Sequence, residues 1–168
     1  MKSKELALCA LFSALMAVCA WISVPLFGVP VTLQTFAVFL SLLTLGGKLG
    51  SISVAVYLSL GAVGLPVFSG FAGGFGAFFG ATGGFLWGLM AAALLYWGIT
   101  ALFCEKSRLL AVVTGLFLCY ACGVIWFSHV YTGSENPMVL TVLPFLLPDG
   151  IKISLAWVIA RRLRRHIG

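Results

Sequence analysis

Leu147-Pro148-Asp149-Gly150-Ile151-Lys152-Ile153 lies inside the last apolar run of the chain, and its two charges decide how that run is read. Asp149 and Lys152 are three residues apart, so on a helix they share one face, one turn from each other. An ionisable side chain at the centre of a membrane helix costs at least about 2.5 kcal/mol on insertion scales. Such groups face the protein interior and mark functional sites by default. Opposite charges neutralise each other, which lowers the burial cost. The stretch therefore reads as part of a small-molecule site on a membrane helix, with a purely structural ion pair as the other reading.

Composition identifies the solvent around that helix. Of 168 residues, 62% are hydrophobic and 8% are charged, against about 25% charged in a soluble domain. So few charges cannot build a water-facing surface, so lipid surrounds most of the chain. Twenty glycines and a helical rather than alternating apolar pattern predict packed transmembrane helices, not a barrel. The length allows six spans of about 20 residues with short loops. Residues 1–168 then form a single integral-membrane domain of the all-α class.

The net charge of +6 follows the positive-inside rule rather than nucleic-acid binding. Of the five cysteines, Cys119 and Cys122 have CxxC spacing, but apolar context and missing partner ligands make them packed thiols rather than a metal or redox site. Lys2 and Lys4 precede an apolar run as in a signal peptide. The run is too long, lacks a clear A-x-A cleavage site and is followed by further spans, so it reads as a retained first helix.

Six spans are expected: about 5–24, 36–45, 49–63, 85–103, 109–127, and a last one from between Thr141 and Pro148 to Arg165. With six spans and a cytoplasmic N-terminus, the cytoplasmic segments hold Lys2, Lys4, Lys48, Lys106, Arg108 and the four terminal arginines. The external loops hold no Lys or Arg, and only Lys152 is left within a span. The C-terminus is then cytoplasmic too. Asp149 and Lys152 lie about 18 and 14 Å before Arg161 along a helix, in the outer half of a core about 30 Å thick.

Two external stretches are candidate walls of the site. Pro25–Thr35 is broken by two prolines and a glycine, yet places Thr32, Gln34 and Thr35 among apolar neighbours, as in a loop folded over a cavity. Gly64–Gly84 is apolar enough for a membrane but too rich in glycine for a helix. Non-helical backbone at that depth must be buried by protein or line a cavity. Glycine also lets a ligand reach the main chain; close helix packing is the alternative. Gly47-Lys48 is not a phosphate loop, since Leu49 follows and no glycine sits five residues before Gly47. Ser69, Ser128 and His129 lack a G-x-S-x-G nucleophile motif, so no catalytic residue is assigned and the chain is not expected to be an enzyme. Ala7, Ala10, Ala14 and Ala17 form a small-residue stripe on the first helix.

Five pieces in order match a family: Val29-Pro-Val-Thr-Leu-Gln34-Thr35, Gly61-Ala-Val-Gly-Leu-Pro-Val-Phe68-Ser-Gly70 with Gly73-Gly74, Thr82-Gly-Gly-Phe-Leu-Trp-Gly88, Tyr120-Ala-Cys-Gly123-Val-Ile-Trp126, and Pro148-Asp149-Gly-Ile-Lys152. Over nearly its whole length the chain resembles the BioY family, the biotin-specific substrate-binding (S) components of energy-coupling factor (ECF) transporters. Gly80-Ala81-Thr82-Gly83 departs from the family pattern, where proline is expected before the threonine. The resemblance implies a multi-pass cell-membrane protein that captures biotin from outside, with no cofactor or metal. It implies two partners, a transmembrane coupling protein and cytoplasmic ATPases, with Ala10 and Ala14 matching the A-x-x-x-A motif that contacts the coupling protein. Residue chemistry suits biotin, whose ureido ring has two N–H donors and one C=O acceptor and whose tail ends in a carboxylate. Asp149 is expected to accept from a ureido N–H, and Lys152 to donate to the ureido oxygen or the carboxylate. Gln34, Thr32 and the main chain at Gly73 and Gly74 are expected to add polar contacts, and Phe68 and Tyr120 to form apolar walls. A stand-alone proton- or ion-coupled carrier, with Asp149 as proton site, is the alternative.

Overall fold

A computed structural model describes residues 2–26, 29–103, 107–130 and 141–167. Its helices are α1 (Ser3–Trp21), α2 (Gln34–Ala62), α3 (Gly83–Leu102), α4 (Arg108–Val130) and α5 (Leu143–Ile167), with a hairpin of β1 (Ser23–Leu26) and β2 (Val29–Thr32) between the first two. Among the described residues, all five helices are long and apolar enough to cross a membrane. The expected charged turn at Glu105 and Lys106, and most of the polar loop before the last helix, lie outside the described residues.

The count of five long helices differs from the six expected because two expected spans share α2. That helix is not straight. Gly46 (φ 83°, ψ 175°) breaks it, in a backbone region that a side chain disfavours. A straight 29-residue helix would separate Gln34 from Tyr57 by about 35 Å, yet Gln34 Nε2 donates to the Tyr57 hydroxyl at 3.0 Å. A methyl group at Gly50 would sit 2.8 Å from the Leu42 Cα. The chain therefore reverses at Gly46, and its two arms pack against each other. Neither arm alone has the ~20 residues of a full span.

Polar side chains fasten the arms to their neighbours. Ser13 Oγ donates to the Ser53 carbonyl at 2.8 Å, tying α1 to the second arm, and Ser51 Oγ donates to the Ala93 carbonyl at 2.9 Å, tying that arm to α3. Hydroxyl-to-carbonyl bonds of this kind suit a membrane bundle, where lipid is as apolar as leucine and gives helices little reason to associate. Gly84 and Gly88 let α4 approach α3 at Trp126 and Cys119.

The bundle has chemically different ends. Gly47 abuts Trp97 and Thr100, late in α3. Cys9, early in α1, donates its thiol to the Leu49 carbonyl, and Arg164 lies beside Tyr96. Lys48, the start of α1 and the arginines of α5 thus gather at one end. The opposite end holds the β-hairpin, where Ser23 pairs with Thr32 and Pro25 with Pro30. Each strand is an edge, which is where proline is tolerated in sheets. It also holds the glycine-rich segment, which has two short 3-10 turns at Ser69–Phe71 and Phe75–Phe78 and no long helix.

Candidate functional site

Asp149 and Lys152 meet as one helical turn of α5 predicts. Lys152 Nζ donates to Asp149 Oδ1 at 2.6 Å, and the two residues are 8% and 1% exposed. The ammonium also donates to the Thr32 carbonyl at 2.7 Å and to Thr35 Oγ1 at 3.4 Å. Its three N–H donors are matched by three protein acceptors. The Thr35 hydroxyl donates a hydrogen bond to Asp149 Oδ1 at 3.0 Å, and the Tyr120 hydroxyl donates to Oδ2 at 2.6 Å. A carboxylate has about four acceptor positions, so one position remains, on Oδ2.

That position matters because Asp149 lines a cavity of about 190 Å³ and Lys152 does not. Asp149 is the one charged side chain on the cavity wall among the described residues. Around it the wall is polar on one side, with Thr32, Gln34, Thr35 and Tyr120. On the other it is apolar, with Phe68, Phe85, Leu86, Leu89 and Phe145. Phe85 and Phe145 stack at 6.2 Å between ring centres. Phe68 is held edge-on between Tyr57 and Phe78, 5.6 Å from each. Such pairs fix ring orientation beyond simple burial. Ser69, Ala72, Ala77, Gly80 and Thr82 bring the glycine-rich segment onto the same wall.

The structure thus gathers Asp149, Gln34, Thr32, Phe68 and Tyr120 around one space. Lys152 stands behind Asp149. Gly73 and Gly74 lie elsewhere: a side chain at Gly73 would strike the Leu65 carbonyl, and Gly74 N–H donates to the Gly61 carbonyl at 2.7 Å. These glycines fold the segment onto the end of α2. Ala10 and Ala14 are exposed on α1, away from the cavity. Thr35 and Thr82, within the two stretches read as candidate walls, also line the cavity, as does Cys119, which lies outside both. Thr35 carried a signal, as a hydroxyl among apolar neighbours. Cys119 carried none, since its apolar helix shows no preferred face.

The arrangement offers one anionic acceptor with a free lone pair, a polar rim and an aromatic box. It suits a small neutral-headed molecule that donates at least one N–H.

Comparison with known proteins bears on what that molecule is. The model of the BioY family matches residues 1–168. The chain is 43% identical over 164 residues to a probable biotin transporter BioY of Pyrococcus horikoshii, covering 98% of each. It is 40% identical over 167 residues to the biotin transporter BioY of Thermotoga maritima, covering 96% of each. Its fold matches a crystal structure of the S-component for biotin from an ECF-type ABC transporter, with a TM-score of 0.81 and 30% identity over 98% of this chain and 92% of that one.

Proposed function

The chain belongs to the BioY family, and on that premise we propose that it is the biotin-binding S component of an ECF-type importer. It is a multi-pass membrane protein. Counting the two arms of α2 separately, each short helix completed by the non-helical chain beside it, gives six crossings. The gathering of Lys48, the α1 start and the α5 arginines at one end supports a cytoplasmic location for both termini by the positive-inside rule. The cavity is lined by the hairpin and the glycine-rich segment at the other end, which is then the outer side of the cell membrane.

The single observation that carries the binding role is the unfilled acceptor position on Asp149 Oδ2, facing an aromatic cavity. A ureido N–H fills it. A hydrogen bond to a charged group contributes about 1.5–3 kcal/mol, so a ligand without that N–H binds correspondingly more weakly. Phe68, Phe85 and Phe145 enclose the sulfur ring. Gln34 and Thr32 flank the ureido group, and Gly73 and Gly74 shape the segment that walls it. Lys152 acts through Asp149, fixing its carboxylate by the 2.6 Å hydrogen bond to Oδ1. The biotin carboxylate extends toward Thr82 at the N-terminus of α3, where the helix dipole favours an anion. Ala10 and Ala14 present a flat face to the coupling protein, and cytoplasmic ATPases drive release. The chain itself makes and breaks no covalent bond and needs no cofactor.

Equilibrium binding of labelled biotin to the purified chain tests this reading. Asp149→Asn is expected to lower affinity at least 100-fold (about 2.7 kcal/mol), and wild-type affinity in that variant would remove Asp149 from the site.

A further inference from the structure

The glycine-rich wall of the cavity is held by two tryptophans, one near each end. Trp21, the last residue of α1, donates its indole N–H to the Pro66 carbonyl at 2.8 Å. Trp126, on α4, donates its indole N–H to the Gly80 carbonyl at 3.0 Å. Between these points the chain contributes Phe68, Ser69, Ala72, Ala77 and Gly80 to the cavity. Neither indole lines the cavity itself.

The two fastenings differ. Trp21 also stacks on Phe71, with ring centres 5.0 Å apart and planes 30° apart. Phe71 has φ 57°, a left-handed backbone that disfavours an aromatic residue, and its side chain is 64% exposed. With little burial, the stack on Trp21 and the turn closed by the Phe68 N–H bond to the Ala72 carbonyl at 3.0 Å hold Phe71 in this conformation. Strain of this kind persists only where the surroundings impose it, and it clusters at clamps and switches. Trp21 also stands on the exposed stripe of α1 with Ala10 and Ala14: at 100° per residue, the three lie within about 40° of one another.

We propose that Trp21 is a positioning residue that clamps the Pro66–Phe71 part of the cavity wall, and that its release sets the rate of ligand exchange. Removal of the clamp lets Phe71 leave its strained conformation and the wall separate from α1, while Trp126 keeps the far end in place. Because Trp21 touches no cavity space, association and dissociation accelerate together and affinity changes little. The clamp lies on the face of α1 proposed to meet the coupling protein, so docking there reaches it directly.

Two measurements test the proposal. Hydrogen exchange in the full-length protein in nanodiscs does not depend on the biotin reading. Trp21→Phe keeps a ring but loses the N–H, and Trp21→Ala loses both. Exchange of amides in residues 65–74 is expected to rise about threefold in the first and at least about tenfold in the second, with α3 and α4 unchanged. Trp21→Tyr keeps an amphipathic ring at the membrane interface but not the indole N–H. Exchange at the wild-type rate in Trp21→Tyr makes Trp21 an interfacial anchor only and overturns the clamp.

The second measurement is the exchange of labelled biotin, which rests on the proposed function. In Trp21→Ala both rate constants are expected to rise by the same factor of about ten, with the equilibrium constant within about twofold of wild type. A change in affinity with unaltered dissociation overturns the rate-setting role. Absence of biotin binding in the wild-type protein instead defeats the biotin reading, and the clamp then stands or falls on hydrogen exchange.

Discussion

The Lys152 ammonium and the Thr32 carbonyl oxygen lie 2.7 Å apart across 120 residues of sequence. This bond joins α5 to the β-hairpin and makes one lysine serve two purposes. It compensates the buried Asp149 carboxylate and fastens the strand that carries Thr32 to the cavity wall. With its remaining donors directed at Thr35 and Asp149, Lys152 is part of the frame around the ligand space.

Loss of that frame is expected to be costly and indifferent to the ligand's tail. Lys152→Met leaves Asp149 buried without a countercharge, and breaking a buried pair costs about 3–5 kcal/mol. The melting temperature is expected to fall clearly, and biotin affinity to fall at least about 100-fold. Biotin and biotin methyl ester are expected to lose affinity by the same factor, because Lys152 does not line the cavity. A variant that binds the ester normally but loses biotin would instead place the ammonium on the carboxylate.

Tyr120→Phe is expected to cost the free protein more stability than the complex. Its hydroxyl donates to Asp149 Oδ2 at 2.6 Å, a bond to a charged group worth about 1.5–3 kcal/mol. Tyr120→Phe is expected to lower the melting temperature without biotin. Saturating biotin is then expected to raise it by more than in wild type, since the ureido N–H becomes the sole partner of Oδ2. A smaller rise would show that the hydroxyl itself contacts the ligand.

Gly61 sets the position of an aromatic wall it does not form. A methyl group there would enter the space of the Phe68 ring, which Tyr57 and Phe78 grip edge-on. Phe68 lines the cavity, so a displaced ring alters the space left for the ligand. Overpacking typically costs about 1–3 kcal/mol, so Gly61→Ala is expected to weaken biotin binding by about 10- to 100-fold. Phe68→Leu in the same background removes the collision and should recover part of the loss. Unchanged binding in Gly61→Ala would mean that the ring has slack.

These residues also mark what the sequence disclosed and what it withheld. Asp149 and Lys152 stood out because charge inside an apolar run has few physical explanations. Gly46-Gly47-Lys48 marked the reversal within α2 for a similar reason: glycine and lysine interrupted an otherwise apolar stretch. Gly73 and Gly74 were ambiguous. Glycine serves ligand approach and backbone packing alike, and here it packs against Leu65 and Gly61. The Pro25–Thr35 stretch read as a loop because two prolines and a glycine break a helix, and the short hairpin went unread because facing edge strands accommodate both prolines. Phe85, Leu86, Leu89 and Cys119 were illegible as wall residues. Lipid and protein interior are equally apolar, so a membrane helix does not advertise which face it buries.

The reversal at Gly46 makes a topological prediction that separates six crossings from five. If the arms of α2 form two crossings, Lys48 lies on the same side of the membrane as the arginines that end α5. If α2 were one crossing, the side of every later segment would invert relative to the N-terminus. Single cysteines replacing Lys48 and Arg165, in a chain whose native cysteines are replaced by alanine, can be labelled by an impermeant maleimide. Both are expected to react in inside-out vesicles and to stay protected in right-side-out vesicles or intact cells. Labelling of position 48 from outside would overturn the six-crossing arrangement. It would also put the start of α3 on the cytoplasmic side, because the cavity wall follows directly from the second arm of α2. Biotin capture from outside thus requires Lys48 to lie inside.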